Sequence, residues 1–254
     1  MYKKRSIFGG LEVETYLCTA KCEIEVLRKQ ERYGIHRFMI HYTKKEEQWN
    51  VGSHAAGIVL GVVVGVLFLL YCVRARDSWA TAGVILYLVG MIGSYVTSTV
   101  YHALPQSWPS RQVLRRWDHA AIYWHIAGSY SPVTLVALRD AAWWGWGLFA
   151  FVWAAALTGT VVSFRGLREH SHVETACFVV MGLSVLVAFR PLMECVEPVA
   201  VNWLIAEGVF YVTGAVVYAF SHNRPYVHTW FHFFVLAGSI CHIICVWRVL
   251  TQFL

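Results

Sequence analysis

Apolar residues in this chain fall into long runs separated by short polar connections, and the pattern sets in abruptly at Gly52. Residues 1–46 are polar, mixed in charge and without sustained periodicity. The first run, GSHAAGIVLGVVVGVLFLLYCV at 52–73, is long enough at 1.5 Å per residue to cross a hydrocarbon layer of roughly 30 Å. Others follow at 79–102, 118–138, about 142–163, 172–189, 199–220 and 228–250. Runs of this length with short links are what a chain shows when lipid is its solvent. The pattern predicts an all-α membrane protein, a seven-transmembrane helix bundle spanning 47–254, preceded by a polar extension over 1–46. The fifth run is the shortest and opens with His172 and Glu174, so the count is weakest there.

Seven spans put the two termini on opposite sides. Basic residues near the spans then orient the chain. Arg37, Lys44, Lys45, Arg111, Arg115, Arg116, Arg165, Arg168 and Arg224 fall on one side; Arg74, Arg76, Arg139, Arg190 and Arg248 fall on the other. The bias predicts a cytoplasmic N-terminus and an outside C-terminus. Trp143, Trp144 and Trp146 near the start of the fourth run suit a tryptophan belt at the membrane interface. Gly61, Gly65, Gly90 and Gly93 are expected to let helices approach closely.

Composition agrees. The chain of 254 residues is 57% hydrophobic and 14% charged, with mean hydropathy +0.50. A soluble domain carries nearly twice that charge. The net charge of +6 does not point to nucleic acid, because the arginines are scattered through short connections and form no basic stripe. Seven cysteines, several in or beside apolar runs, imply no disulfide framework. Cys18 and Cys22 have a metal-like spacing but no matching second pair. The N-terminus lacks an apolar core of signal-peptide length, so the first span is expected to drive insertion.

In lipid, an ionisable or metal-binding side chain needs a reason. Ser98 and His102 close the second run four residues apart, on one helix face. Asp118 opens the third run. His228 and His232 open the seventh, again at i and i+4. The seven-span topology brings the end of the second run and the starts of the third and seventh to one membrane face. Glu47, Asn50 and His54 join them there from the first. Three histidines, His102, His228 and His232, can ligate Zn²⁺ and leave a fourth position for water. Asp118 can hold that water or take its proton, and Ser98 can support a ligand or stabilise developing charge. His125, seven residues after Asp118 and on roughly the same face, could join the site with His119 and His242, but each is expected to be structural.

In order along the chain, these residues resemble the hemolysin III family, the bacterial branch of the progestin and adiponectin-Q receptor superfamily. An E-x-x-N-x-x-x-H opening is present as Glu47, Asn50 and His54, then Ser98 and His102, then Asp118. Gly128-Ser129-Tyr130-Ser131-Pro132, the array Gly208, Tyr211, Gly214 and Tyr218, and the histidines His228, His232 and His242 complete it. The resemblance implies a zinc site near the cytoplasmic side of a bacterial plasma (inner) membrane, with zinc held by His102, His228 and His232 and accompanied by Ser98 and Asp118. It also implies membrane lipids as partners. Related members are linked to ceramide hydrolysis, to membrane fluidity and to haemolysis.

The chain departs from the family pattern in two places. Residues 1 to about 40 have no counterpart, and Met39 stands where an ordinary start would be. Glu207 falls in the sixth span where glycine or an apolar residue is usual, and it is expected to be a hydrogen-bonded or neutral carboxyl. Three functions stay open: a zinc-dependent hydrolase of lipid amides, a non-enzymatic regulator or sensor of membrane state with structural zinc, and a cytolytic activity. A dedicated pore-forming toxin fits worst, because all seven runs look permanently inserted.

Overall fold

A computed structural model describes residues 42–166, 172–221 and 224–254, and every regular element among them is helical. The Cys18–Cys22 pair, Arg37, Arg168 and the start at Met39 lie outside the described residues. The helices are α1 (Lys44–Ala75), α2 (Ser78–Ala103), α3 (Arg111–Pro132), α4 (Trp144–Gly166), a composite α5, α6 (Pro198–Ala219) and α7 (Val227–Phe253). The α5 rod runs through α-helix His172–Gly182, a 3₁₀ stretch Leu183–Ala188 and α-helix Phe189–Cys195.

Local chemistry sets the ends that matter. Thr43 and Glu46 form a reciprocal capping box at the start of α1, each holding the other's backbone N–H. Arg76 ends α1 in the left-handed conformation, and Asp77 immediately caps α2 by accepting from the Ala80 N–H at 2.7 Å. The turn between the first two spans is therefore two residues long. After Pro132, α3 closes in a π-helical turn, Val133–Ala137.

Among the described residues, six helices are long and apolar enough to cross a membrane. The exception is α3, whose first turns carry Arg111, Arg115, Arg116, Asp118 and His119. Arg111, Arg115 and Arg116 were expected in the connection 103–117, with the helix opening at Asp118, yet helix begins at Arg111. Helical pairing and burial against neighbours outweigh their polarity, since α3 packs on α2 and α4 and also touches α5 and α7. The fifth rod extends beyond the expected 189 to Cys195, which makes it long enough to span.

The bundle's outside is apolar. Along α1, Val59, Val62, Val63, Val66, Leu70 and Val73 are exposed, while Gly57, Gly61, Val64, Phe68 and Cys72 are buried on the opposite face. An uncovered stripe of that size is stable only where lipid covers it. Exposed tryptophans form two bands. Trp49, Trp108, Trp117 and Trp230 mark one end of the bundle, and Trp79, Trp143, Trp146 and Trp247 the other. Along α7, Trp230 and Trp247 are roughly 26 Å apart at 1.5 Å per residue, close to the thickness of the hydrocarbon layer. The protein is a multi-span, all-α membrane bundle.

Neighbouring helices meet closely at α2 and α3. A Cβ on Gly90 would lie 2.3 Å from the Trp124 carbonyl oxygen, and one on Gly128 2.8 Å from that of Leu86. Gly61 and Gly65 face side chains of α2. Gly93 does not share this role, because nothing lies within 4 Å of its added Cβ.

Candidate metal centre

Four helices deliver their polar residues to one end of the bundle. The start of α1 supplies Glu47, Asn50 and His54; the end of α2 supplies Ser98 and His102; the start of α7 supplies His228, Thr229 and His232. The Tyr226 N–H donates to Glu46 Oε1 at 2.7 Å, tying the first turn of α7 to that of α1. α3 adds Arg111.

One ligand atom from each of His54, His102 and His232 lies within 4.8 Å of the others, and all three residues are buried. Such a triad can hold a metal ion. The orientation of each ring has a cause. His102 Nδ1 is 2.6 Å from Glu47 Oε2, and the other carboxylate oxygen accepts from Arg111 Nη2 at 2.6 Å. Arg111 also donates to the Leu104 carbonyl and lies over the Tyr101 ring at 4.6 Å. Asn50 accepts from Thr229 Oγ1 at 2.7 Å and places its amide beside Glu47 and His102. His232 Nδ1 is 2.8 Å from His54 Nε2, which is also 2.9 Å from Ser98 Oγ.

With their Nδ1 atoms held in this way, Nε2 of His102 and Nε2 of His232 are buried and meet no hydrogen-bond partner among the described residues. A buried nitrogen lone pair without a partner is costly unless something binds it. A carboxylate on the far nitrogen is the usual support for a metal-binding imidazole. The donor set therefore fits a divalent metal with imidazole ligands, Zn²⁺ among them.

His228 is half-buried, with its ring centre 4.4 Å from that of His232 and 5.5 Å from that of His102. Tyr42 stacks on it at 4.9 Å. Desolvation pushes the Tyr42 hydroxyl well above its ordinary pKa, so it stays neutral over the histidines. Asp118 is half-buried at the same end, and its charge acts on Tyr101 and Tyr218. Among the described residues it forms no hydrogen bond or ion pair with a cluster histidine. Of the five site residues expected from sequence, His102 and His232 pack with ring centres 5.0 Å apart, Ser98 joins them through His54, His228 flanks them, and Asp118 stands at the rim. His54, placed on this side but not counted as a ligand, lies inside the cluster. Arg111 had been read only as a topology charge; its spacing from the tryptophan and proline of its loop gives no hint of burial.

The remaining histidines do other work. His119 Nδ1 is 2.7 Å from Glu174, which also accepts from Ser163, joining α3, α4 and α5. His242 Nδ1 is 2.6 Å from Glu207, the hydrogen-bonded carboxyl expected in α6. A cavity of about 560 Å³ has His54, Ser98 and His232 in its wall at one end and Glu207 and His242 elsewhere along it. Leu186, Ile205 and Val209 line it and are exposed on the outer surface, so it opens toward lipid between α5 and α6.

Fold and site together define a polytopic membrane protein with a polyhistidine centre at one end of its bundle. The chain belongs to the haemolysin III-related family, whose profile, described as "Haemolysin-III related", matches residues 42–243. It is 30% identical to Hemolysin-3 of Bacillus cereus over 202 residues, covering 80% of this chain and 90% of that protein. It is 29% identical to a Hemolysin-3 homolog of Bacillus subtilis (strain 168) over 205 residues, 81% and 94% of the two chains. Similarity reaches the human Monocyte to macrophage differentiation factor, 26% identical over 214 residues, 82% of this chain and 85% of that one.

Proposed function

We propose that this chain is a zinc-binding protein of a bacterial plasma membrane that acts on membrane lipids by hydrolysing an amide bond of the ceramide kind. The observation that carries the reading is the pair of unpartnered imidazole nitrogens, on His102 and His232, beside an apolar cavity open to lipid. His228, one turn before His232, is the third ligand.

Bound zinc supplies a Lewis acid and a water acidic enough to react near neutral pH. Glu47 and Arg111 hold the His102 ring, and His54 holds that of His232. Ser98 offers its hydroxyl to the carbonyl oxygen of the lipid, where negative charge grows. Asp118 takes and returns the proton, reaching the site through water. The apolar cavity wall takes the acyl chain and excludes bulk solvent. The N-terminus is cytoplasmic, so the centre faces the cytoplasm.

Incubating the purified, zinc-loaded protein with a panel of ceramides and other acyl lipids tests this directly. Release of fatty acid that His228→Ala abolishes is the expected result. Intact lipids throughout would sink the hydrolase.

The position of His54 favours a second reading. Four histidines within one cluster suffice to close a tetrahedral site, and a closed site is structural. Under that reading the bundle senses or adjusts membrane fluidity, and haemolysis, where it occurs, is a secondary disturbance of the membrane. Loss of an exchangeable water on the metal, with no hydrolysis, is its signature.

A further inference from the structure

Between the two tryptophan bands the bundle buries a second polar group. Glu207 on α6 and His242 on α7 meet at 2.6 Å, 8% and 2% exposed. His242 lies ten residues beyond His232 on α7, roughly 15 Å along the axis. The pair is therefore separate from the histidine cluster, yet both residues line the same cavity.

A net charge here, away from water, is strongly disfavoured. Two arrangements of the pair are neutral overall and keep the acid's own proton within the 2.6 Å contact. In one, Glu207 is a carboxylic acid donating to Nδ1, and the single imidazole hydrogen sits on Nε2. In the other, a carboxylate accepts from an imidazolium, whose Nε2 also carries a hydrogen. Either way His242 Nε2 is a donor. It is buried and has no partner among the described residues.

His125 on α3 lines the cavity as well. Its Nδ1 is 3.1 Å from Ser94 Oγ, and its Nε2 is likewise buried without a described partner. Two nearby hydroxyls are already engaged: Ser129 donates to the His125 carbonyl, and Tyr211 pairs with Ser239. Val133, Phe178, Leu204 and Val235 make the wall around them apolar. A plain hydrocarbon chain would leave both nitrogens unsatisfied.

We propose that Glu207, His242 and His125 form a specificity site for a hydroxyl group carried partway along an acyl chain, so that the cavity prefers hydroxylated over plain acyl lipids. A hydroxyl accepts from His242 Nε2–H and keeps a hydrogen to give to His125 Nε2. A carbonyl offers acceptors alone. Sites built to hydrogen-bond a hydroxyl discriminate against the analogue lacking it, because the buried partners are then left unpaired. The inference rests on the lipid-site reading of the cavity, and on neither the metal's identity nor hydrolysis.

The test is competition for labelled stearate by unlabelled stearate and by a positional series of hydroxystearates, using the full chain in lipid nanodiscs. One hydroxyl position is expected to compete roughly tenfold better than stearate. Glu207→Leu/His242→Leu removes both members of the pair, leaves no buried charge behind and is expected to fold. It should bind stearate normally and lose the preference; His125→Leu should weaken the preference. Equal competition by every hydroxystearate and stearate in the wild type overturns the inference, as does a preference that survives the double substitution. Failure of stearate to bind overturns it together with the lipid-site reading. A preference shown by protein that takes up no zinc supports the inference, and the failure to take up zinc contradicts the zinc reading alone.

Discussion

The Glu47 carboxylate meets His102 Nδ1 at 2.6 Å, and this contact leaves the opposite nitrogen of the ring buried and unpartnered among the described residues. Glu47 is fixed in turn by Arg111. A charge-assisted contact of this kind raises the basicity of the imidazole and fixes its tautomer. Glu47→Gln is expected to lower zinc affinity about 10–100-fold without changing the number of ions bound at saturation. Chelator competition measures it, and an unchanged affinity would remove Glu47 from the centre.

His54 and His228 compete for one role. If His54 orients His232, as their 2.8 Å contact indicates, His54→Ala should weaken zinc binding and leave one ion per chain at saturation. His228→Ala should lose the ion. X-ray absorption on both variants counts the imidazole ligands. Retained binding in His228→Ala with loss in His54→Ala would exchange the assignments.

Asp118 separates chemistry from structure. Asp118→Asn is expected to keep the zinc content and to slow lipid hydrolysis about 10²–10⁴-fold, the usual contribution of a general base. If wild type hydrolyses lipid and the variant does so equally fast, Asp118 has no catalytic part.

The contact of α2 with α3 is tested by glycine. Gly90→Ala forces a methyl to 2.3 Å from the Trp124 carbonyl, backbone that cannot swing aside. It should cost about 1–3 kcal/mol or more, read as earlier thermal unfolding in detergent. Gly93→Ala, with nothing within 4 Å, should unfold as wild type does.

Orientation follows from the basic residues. Reporter fusions at residue 254 should be active only in a reporter that works outside the cytoplasm. A cytoplasmic C-terminus would contradict the placement of the zinc centre on the inner side.

Most of the bundle was legible because lipid demands uninterrupted apolar helix. The first turns of α3 were not, since Arg111 to Trp117 read as a polar connection while the partner that buries Arg111, Glu47, lies far off in the chain. The end of α5 was hidden by Arg190 and Glu194, which form an exposed i,i+4 pair on a helix. At the site, His102 and His232 were found by spacing, because i and i+4 is a property of one helix. The place of His54 depends on how α1 is rotated against α2 and α7, which spacing does not encode. Gly93 failed for the same reason: its face of α2 has no helix against it.

The central claim is that this end of the bundle holds zinc. Metal analysis of detergent-purified wild type, beside His102→Ala and His232→Ala, tests it most directly. The account predicts one zinc ion per wild-type chain and almost none in either variant. Wild-type protein without stoichiometric metal, or variants that keep it, would contradict the account.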